Sequence, residues 1–286
     1  MKQKFSKKQC DLLFQAVLVH DDIYFDATFP ENFHLNYTQH QISQCYKICR
    51  QLWKQGVNRS HLYNTFDKII HDQRLSDDEK LAYKHMRARF KHLRFAYLAC
   101  DESHHCPALL YDLTRRMGKL QDSLKHKRPV SSTEKLEEFK KVRKLKVKTT
   151  VPFFTVVRWE INQFKPCSNE SFKNYINSEM DFIKLHLVAK EVNGKDFHEM
   201  RKVISMQVAL FDNLKTLFPS SYHEQVSQFL STVNGMMGSL HDELIIKKFQ
   251  KASYYFDDTF QLPDDIRTRL ATIVDAYSKT IEKDSY

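Results

Sequence analysis

Between positions 77 and 100 the apolar residues Met86, Phe90, Leu93 and Tyr97 recur in steps of four, three and four. At 100° per residue this confines them to an arc of roughly 60° on a helix. Lys84, Arg87, Lys91 and Arg94 step by three, four and three and fill an arc of roughly 80°, centred roughly 110° from the apolar one. A packed face with a cationic stripe beside it is the expected arrangement. Ser76-Asp77-Asp78-Glu79 has the spacing of a capping box, so the helix is expected to start at 77. The same periodicity predicts helices over 36–54, 60–71, 107–125, 133–146, 152–163, 169–190, 195–217 and 222–249. Pro263-Asp264-Asp265 opens a last one, with proline in the first turn and acids at the positive end of the dipole. The chain is expected to be all-α, with about ten helices joined by short polar connections.

One pattern occurs twice. Lys84-His85-Met86-Arg87 and Lys91-His92-Leu93-Arg94 are followed by Met117-Gly118-Lys119-Leu120-Gln121-Asp122, and His198-Glu199-Met200-Arg201 is followed by Met237-Gly238-Ser239-Leu240-His241-Asp242. The chain holds only five glycines, so two of them in this setting point to a duplicated helical unit. Gly118 and Gly238 fall inside predicted helices, where glycine costs about 1 kcal/mol against alanine, and close helix–helix approach is the expected reason. Asp122 and Asp242 are expected to hold a neighbouring Arg or His by an ion pair.

Charge narrows the class of partner. With 45 Lys+Arg against 35 Asp+Glu the net charge is +10, which favours nucleic acid, other polyanions or an acidic membrane surface. Residues 125–148 hold ten Lys/Arg against three Glu, seven of the ten net charges. The six cysteines have no framework spacing, and the expectation is reduced thiols in the cytoplasm. No apolar run is long enough for a transmembrane helix. Cys100, His104, His105 and Cys106 crowd one short stretch but lack Cys-x-x-Cys pairs, so a polar loop with packed thiols is expected there, and Cys45 and Cys49 read as core thiols. Trp53, Trp159, Tyr254, Tyr255 and Phe256 likewise read as core. There is no phosphate-binding glycine loop, zincin motif or nucleophile elbow. No enzymatic machinery, metal or cofactor is expected.

The repeated pattern resembles the CHAD family, the conserved histidine α-helical domain. Each half of that family carries a His-x-x-Arg helix continuing into Lys/Arg-Arg-Leu-Arg, and later a helix with Leu-Gly-x-x-Arg/Asn-Asp. The resemblance covers residue 77 to the C-terminus. It implies one CHAD-like domain over 1–286, built of two pseudo-twofold-related helical bundles (1–130 and 131–286), with a basic groove between them that binds inorganic polyphosphate. Carried onto this chain, the implied anion-binding residues are Lys84, Arg87, Lys91, Arg94, Arg115, Arg116, Lys119, His198, Arg201 and Lys202, supported by Asp122 and Asp242. Two departures stand out. Lys84 occupies the first histidine position, and Ser205-Met206-Gln207-Val208 replaces the second basic run.

A polyphosphate chain has about one negative charge per phosphate and no apolar surface, so Coulomb attraction, charge-assisted hydrogen bonds and counterion release must bind it. The expected function is therefore non-enzymatic polyanion binding, in the cytoplasm and at polyphosphate granules. The alternatives are nucleic-acid binding through 125–148, a protein-interaction scaffold that has lost its ligand, and, third, an enzyme acting on phosphate esters.

Overall fold

The capping box at Ser76 forms: Ser76 Oγ accepts from the Glu79 N–H at 3.2 Å, and the Glu79 carboxylate accepts from the Ser76 N–H at 2.9 Å. The computed structural model describes residues 5–70, 75–125, 153–251 and 258–283. Over these the chain is all-α, with ten helices: α1 (Lys7–Leu18), α2 (Gln39–Gly56), α3 (Arg59–Ile70), α4 (Asp77–Cys100), α5 (Ala108–Lys125), α6 (Phe153–Asn162), α7 (Asn169–Val188), α8 (Gly194–Leu217), α9 (Ser221–Lys251) and α10 (Asp264–Lys283). Strands β1 (Val192–Asn193) and β2 (Thr259–Phe260) form a two-residue antiparallel ribbon, with Val192 opposite Phe260. Among the described residues no helix is long and apolar enough to cross a membrane. The helix expected at 133–146, most of the basic stretch and the Tyr254–Phe256 cluster lie outside the described residues.

One helix was not foreseen. α1 buries Cys10, Leu13, Ala16 and Val17, a spacing that places them on one helical face. Its first turn carries no acid, but Ser6-Lys7-Lys8-Gln9 has the spacing of a capping box, a boundary signal that sequence reasoning passed over.

The chain divides into two compact units, one of Met1–Ser6 and Tyr46–Pro166, the other of Lys7–Cys45 and Cys167–Tyr286. The division falls within α2 and again after Pro166.

In the first unit α4 packs on α3 and α5, and α5 on α6. The expected apolar arc is buried: Met86, Phe90, Leu93 and Tyr97 are each no more than 4% exposed. Aromatic rings fill the core. Tyr46 stacks on Phe164 at 3.7 Å, Trp53 meets Phe90 edge-on at 5.6 Å, and the Tyr83 hydroxyl donates to the Met117 carbonyl at 3.0 Å. The Glu160 carboxylate of α6 accepts the Leu109 and Leu110 N–H groups at the start of α5, using the positive end of that helix.

In the second unit the stretch of α8 from Val203 to Leu214 is enclosed, with α1, α7 and α9 and Tyr277 of α10 packed on the helix. Every residue from Val203 to Leu214 is buried, so its polar side chains need internal partners. Ser205 donates to Asn234 at 2.7 Å, Tyr277 to Gln207 at 3.0 Å, and Ser227 to Asp212 at 3.0 Å. The segment between α1 and α2 has no regular structure, yet α9 and α10 tie it down. Ser231 donates to the Val19 and Asp22 carbonyls, Asn234 to the His20 carbonyl, and Arg269 to the Phe25 and Ala27 carbonyls. Its backbone comes so close to α9 that a Cβ at Gly235 would stand 2.2 Å from the Asp21 carbonyl oxygen.

Candidate anion-binding surface

From Lys80 to Cys100, α4 holds six cations (Lys80, Lys84, Arg87, Arg89, Lys91, Arg94) and no acid. Lys84 is exposed, while Arg87, Lys91 and Arg94 are half-buried beside the packed arc. Arg87 and Arg94 lean toward α5. Arg87 donates to Gln121 Oε1 at 3.1 Å, and the Arg94 guanidinium lies 5.6 Å from the centre of the Tyr111 ring and 4.9 Å from that of Phe95. Lys91 Nζ is 5.4 Å from the Phe95 ring centre. Contacts of this kind hold a long cationic side chain in place without neutralising it.

What lies over Gly118 is a side chain rather than a helix backbone. A Cβ at 118 would come within 2.9 Å of Nη2 of Arg87. The expected close helix approach is thus a seat for a guanidinium. The same geometry recurs in the second unit, where a Cβ at Gly238 would come within 3.0 Å of Nη2 of Arg201. In each unit the methionine before the arginine and the methionine before the glycine are buried (Met86 and Met117; Met200 and Met237). This ties the two parts of the repeated pattern together: Met enters the core, Arg turns outward, and glycine leaves room for it.

Residues 111, 115 and 118 share one face of α5, so Arg115 falls between the Arg94–Tyr111 and Arg87–Gly118 contacts. Arg87, Arg94 and Arg115 therefore line a single α4/α5 seam, with Lys91 between the two arginines on the α4 stripe. Arg115 and Arg116 share one carboxylate, Asp112, at 2.8 and 2.6 Å. Burial raises the Asp112 pKa, but the two guanidiniums outweigh it and hold it below its usual range. Lys119 is exposed on the same helix. The Asp122 side chain lies outside the described residues. Arg87 Nε is buried and has no hydrogen-bond partner among the described residues.

The second unit brings together a weaker set. Lys202 pairs with Glu199 at 2.6 Å. His198, half-buried with its ring 5.9 Å from that of His241, has its pKa pushed down to about 4 by burial and by Lys202, His241 and Arg201. It is neutral near pH 7 and brings no positive charge to the surface. The Asp242 carboxylate is 3.5 Å from His241 Nδ1. Ser205, Met206, Gln207 and Val208, where the second basic run would stand, are core residues of α8. Cations there would be cut off from solvent.

Sequence reasoning passed over Lys54, Arg59 and Arg158, which gather around a cleft in the first unit. The available signal was a cation adjacent to each tryptophan, Trp53-Lys54 and Arg158-Trp159. Trp159, expected in the core, is 61% exposed, because α6 turns its apolar face (Val157, Ile161) the other way. No protein-family model matches the chain, and no curated protein or solved structure matches it significantly.

Proposed function

We propose that this chain is a non-enzymatic binder of phosphate polyanions, inorganic polyphosphate first among them, and that the α4/α5 seam of the first unit is the binding surface. The observation that carries the reading is the alignment of Arg87, Lys91 and Arg94 along α4 with Arg115 on the facing α5, against one carboxylate, that of Asp112, among the described side chains of the seam. Cations one helical turn apart, about 5 Å, can follow an extended chain bearing a charge on every phosphate. Arginine adds forked donors to its phosphate oxygens. The paired Arg-on-Gly seats support a duplicated, CHAD-like origin. The enclosed α8 and the neutral His198 make the binding surface one-sided, with the second unit contributing little.

The test is elution from immobilised polyphosphate in a rising salt gradient. The Arg87→Ala/Lys91→Ala/Arg94→Ala variant is expected to elute at markedly lower salt than the wild type, and Arg201→Ala/Lys202→Ala close to it. Far-UV circular dichroism checks that each variant is folded. Equal elution of wild type and triple variant would overturn the assignment. Soluble polyphosphate is expected to displace bound DNA at similar phosphate concentration, and failure to do so would favour nucleic acid as the ligand.

A further inference from the structure

The cleft of about 220 Å³ in the first unit is lined by Trp53, Lys54, Val57, Arg59, Phe154, Thr155 and Arg158. Its lining divides by chemistry. Trp53 and Phe154 both pack against Phe90, at 5.6 and 6.4 Å between ring centres, and supply an aromatic floor. Lys54, Arg59 and Arg158 are exposed at its edge, and the lining includes no acid. Phe154 and Thr155 belong to the first turn of α6, the positive end of that helix dipole. The Trp53 indole N–H is buried and has no hydrogen-bond partner among the described residues, an arrangement that costs free energy until an acceptor reaches it.

We infer that this cleft is a binding site for a small aromatic anion, a single ring bearing one phosphate, with the ring against Trp53 and Phe154 and the phosphate between Arg59 and Arg158. Size supports the choice. A cavity of roughly 150 Å³ already takes a benzene ring, so about 220 Å³ leaves room for one charged group beside it. Inorganic phosphate would leave the aromatic floor uncovered, and a neutral ring would make no use of the positive rim. The site is separate from the α4/α5 seam and does not depend on the polyanion reading.

Fluorescence can test this, because the chain has two tryptophans. Trp159→Phe, at an exposed position, leaves Trp53 as the sole reporter inside the cleft. Titration with phenyl phosphate is expected to give a saturable change in Trp53 emission, with a Kd at least tenfold below that for inorganic phosphate or for phenol. Arg59→Ala and Arg158→Ala are each expected to weaken phenyl phosphate about tenfold, and Arg87→Ala/Lys91→Ala/Arg94→Ala to leave it unchanged. Calorimetry on the unsubstituted chain repeats the comparison without relying on Trp159→Phe. Equal affinity for phenyl phosphate and either fragment, or an unchanged Kd in the Arg59→Ala/Arg158→Ala double variant, would overturn the inference.

Discussion

An arginine laid across a glycine needs its methylenes and guanidinium held close to a neighbouring helix, and any side chain at the glycine position would lift it away. That requirement explains why Met-Arg and Met-Gly travel together in this sequence. His198, crowded by burial and by Lys202, His241 and Arg201, has its pKa pushed down to about 4. An unfolded histidine titrates near 6.5. Between pH 6.5 and 4 the unfolded chain therefore binds the extra proton, and stability must fall as pH falls through that window. Above 6.5 both states are neutral at this position and the effect is nil. His198→Gln removes the effect. The stability difference between wild type and variant, followed by urea denaturation, should shift toward the variant from pH 6.5 to 4 and stay level from 7 to 8. A difference that does not vary across the acid window would show that His198 is not desolvated.

Helices meet other parts of the chain in two different ways at glycine, and the two should respond oppositely to a methyl group. At Gly118 the obstructing atom is the far end of a flexible arginine. Gly118→Ala should therefore gain up to about 1 kcal/mol of helix stability while displacing the Arg87 guanidinium, so elution from polyphosphate should move to lower salt. At Gly235 the obstruction is the Asp21 backbone carbonyl, 2.2 Å away. The segment after α1 would have to lift off α9, and Gly235→Ala should cost about 3 kcal/mol, read as a lower urea midpoint. This contrast marks the limit of what was legible. α4, its capping box and its two stripes followed from periodicity alone, because all the information is local. The role of 205–208 did not, because what buries Ser205 and Gln207 is Asn234 and Tyr277, with α1 packed on the same helix, all distant in sequence. Nor did the Lys54, Arg59 and Arg158 cleft, assembled from side chains a hundred residues apart.

At the scale of the whole molecule the excess of positive charge is unevenly spread. The 125–148 segment holds seven of the ten net charges, and the α4/α5 seam concentrates four more cations on two facing helices. As binding surfaces for a polyanion the two predict different salt dependence. A ligand held by Arg87, Lys91, Arg94 and Arg115 displaces one set of counterions per neutralised phosphate. With the single-strand factor, log K should fall against log salt with a slope of about −3. The Arg87→Ala/Lys91→Ala/Arg94→Ala variant keeps one of the four cations, and its slope should shrink to about −1. Measuring polyphosphate affinity at several salt concentrations, for both proteins, separates the two sources of charge. Lost affinity with a shallower slope places the counterion release at the seam. A slope that survives the triple substitution assigns the binding to the 125–148 segment and removes the seam from the mechanism, because counterions are released only where phosphates are neutralised.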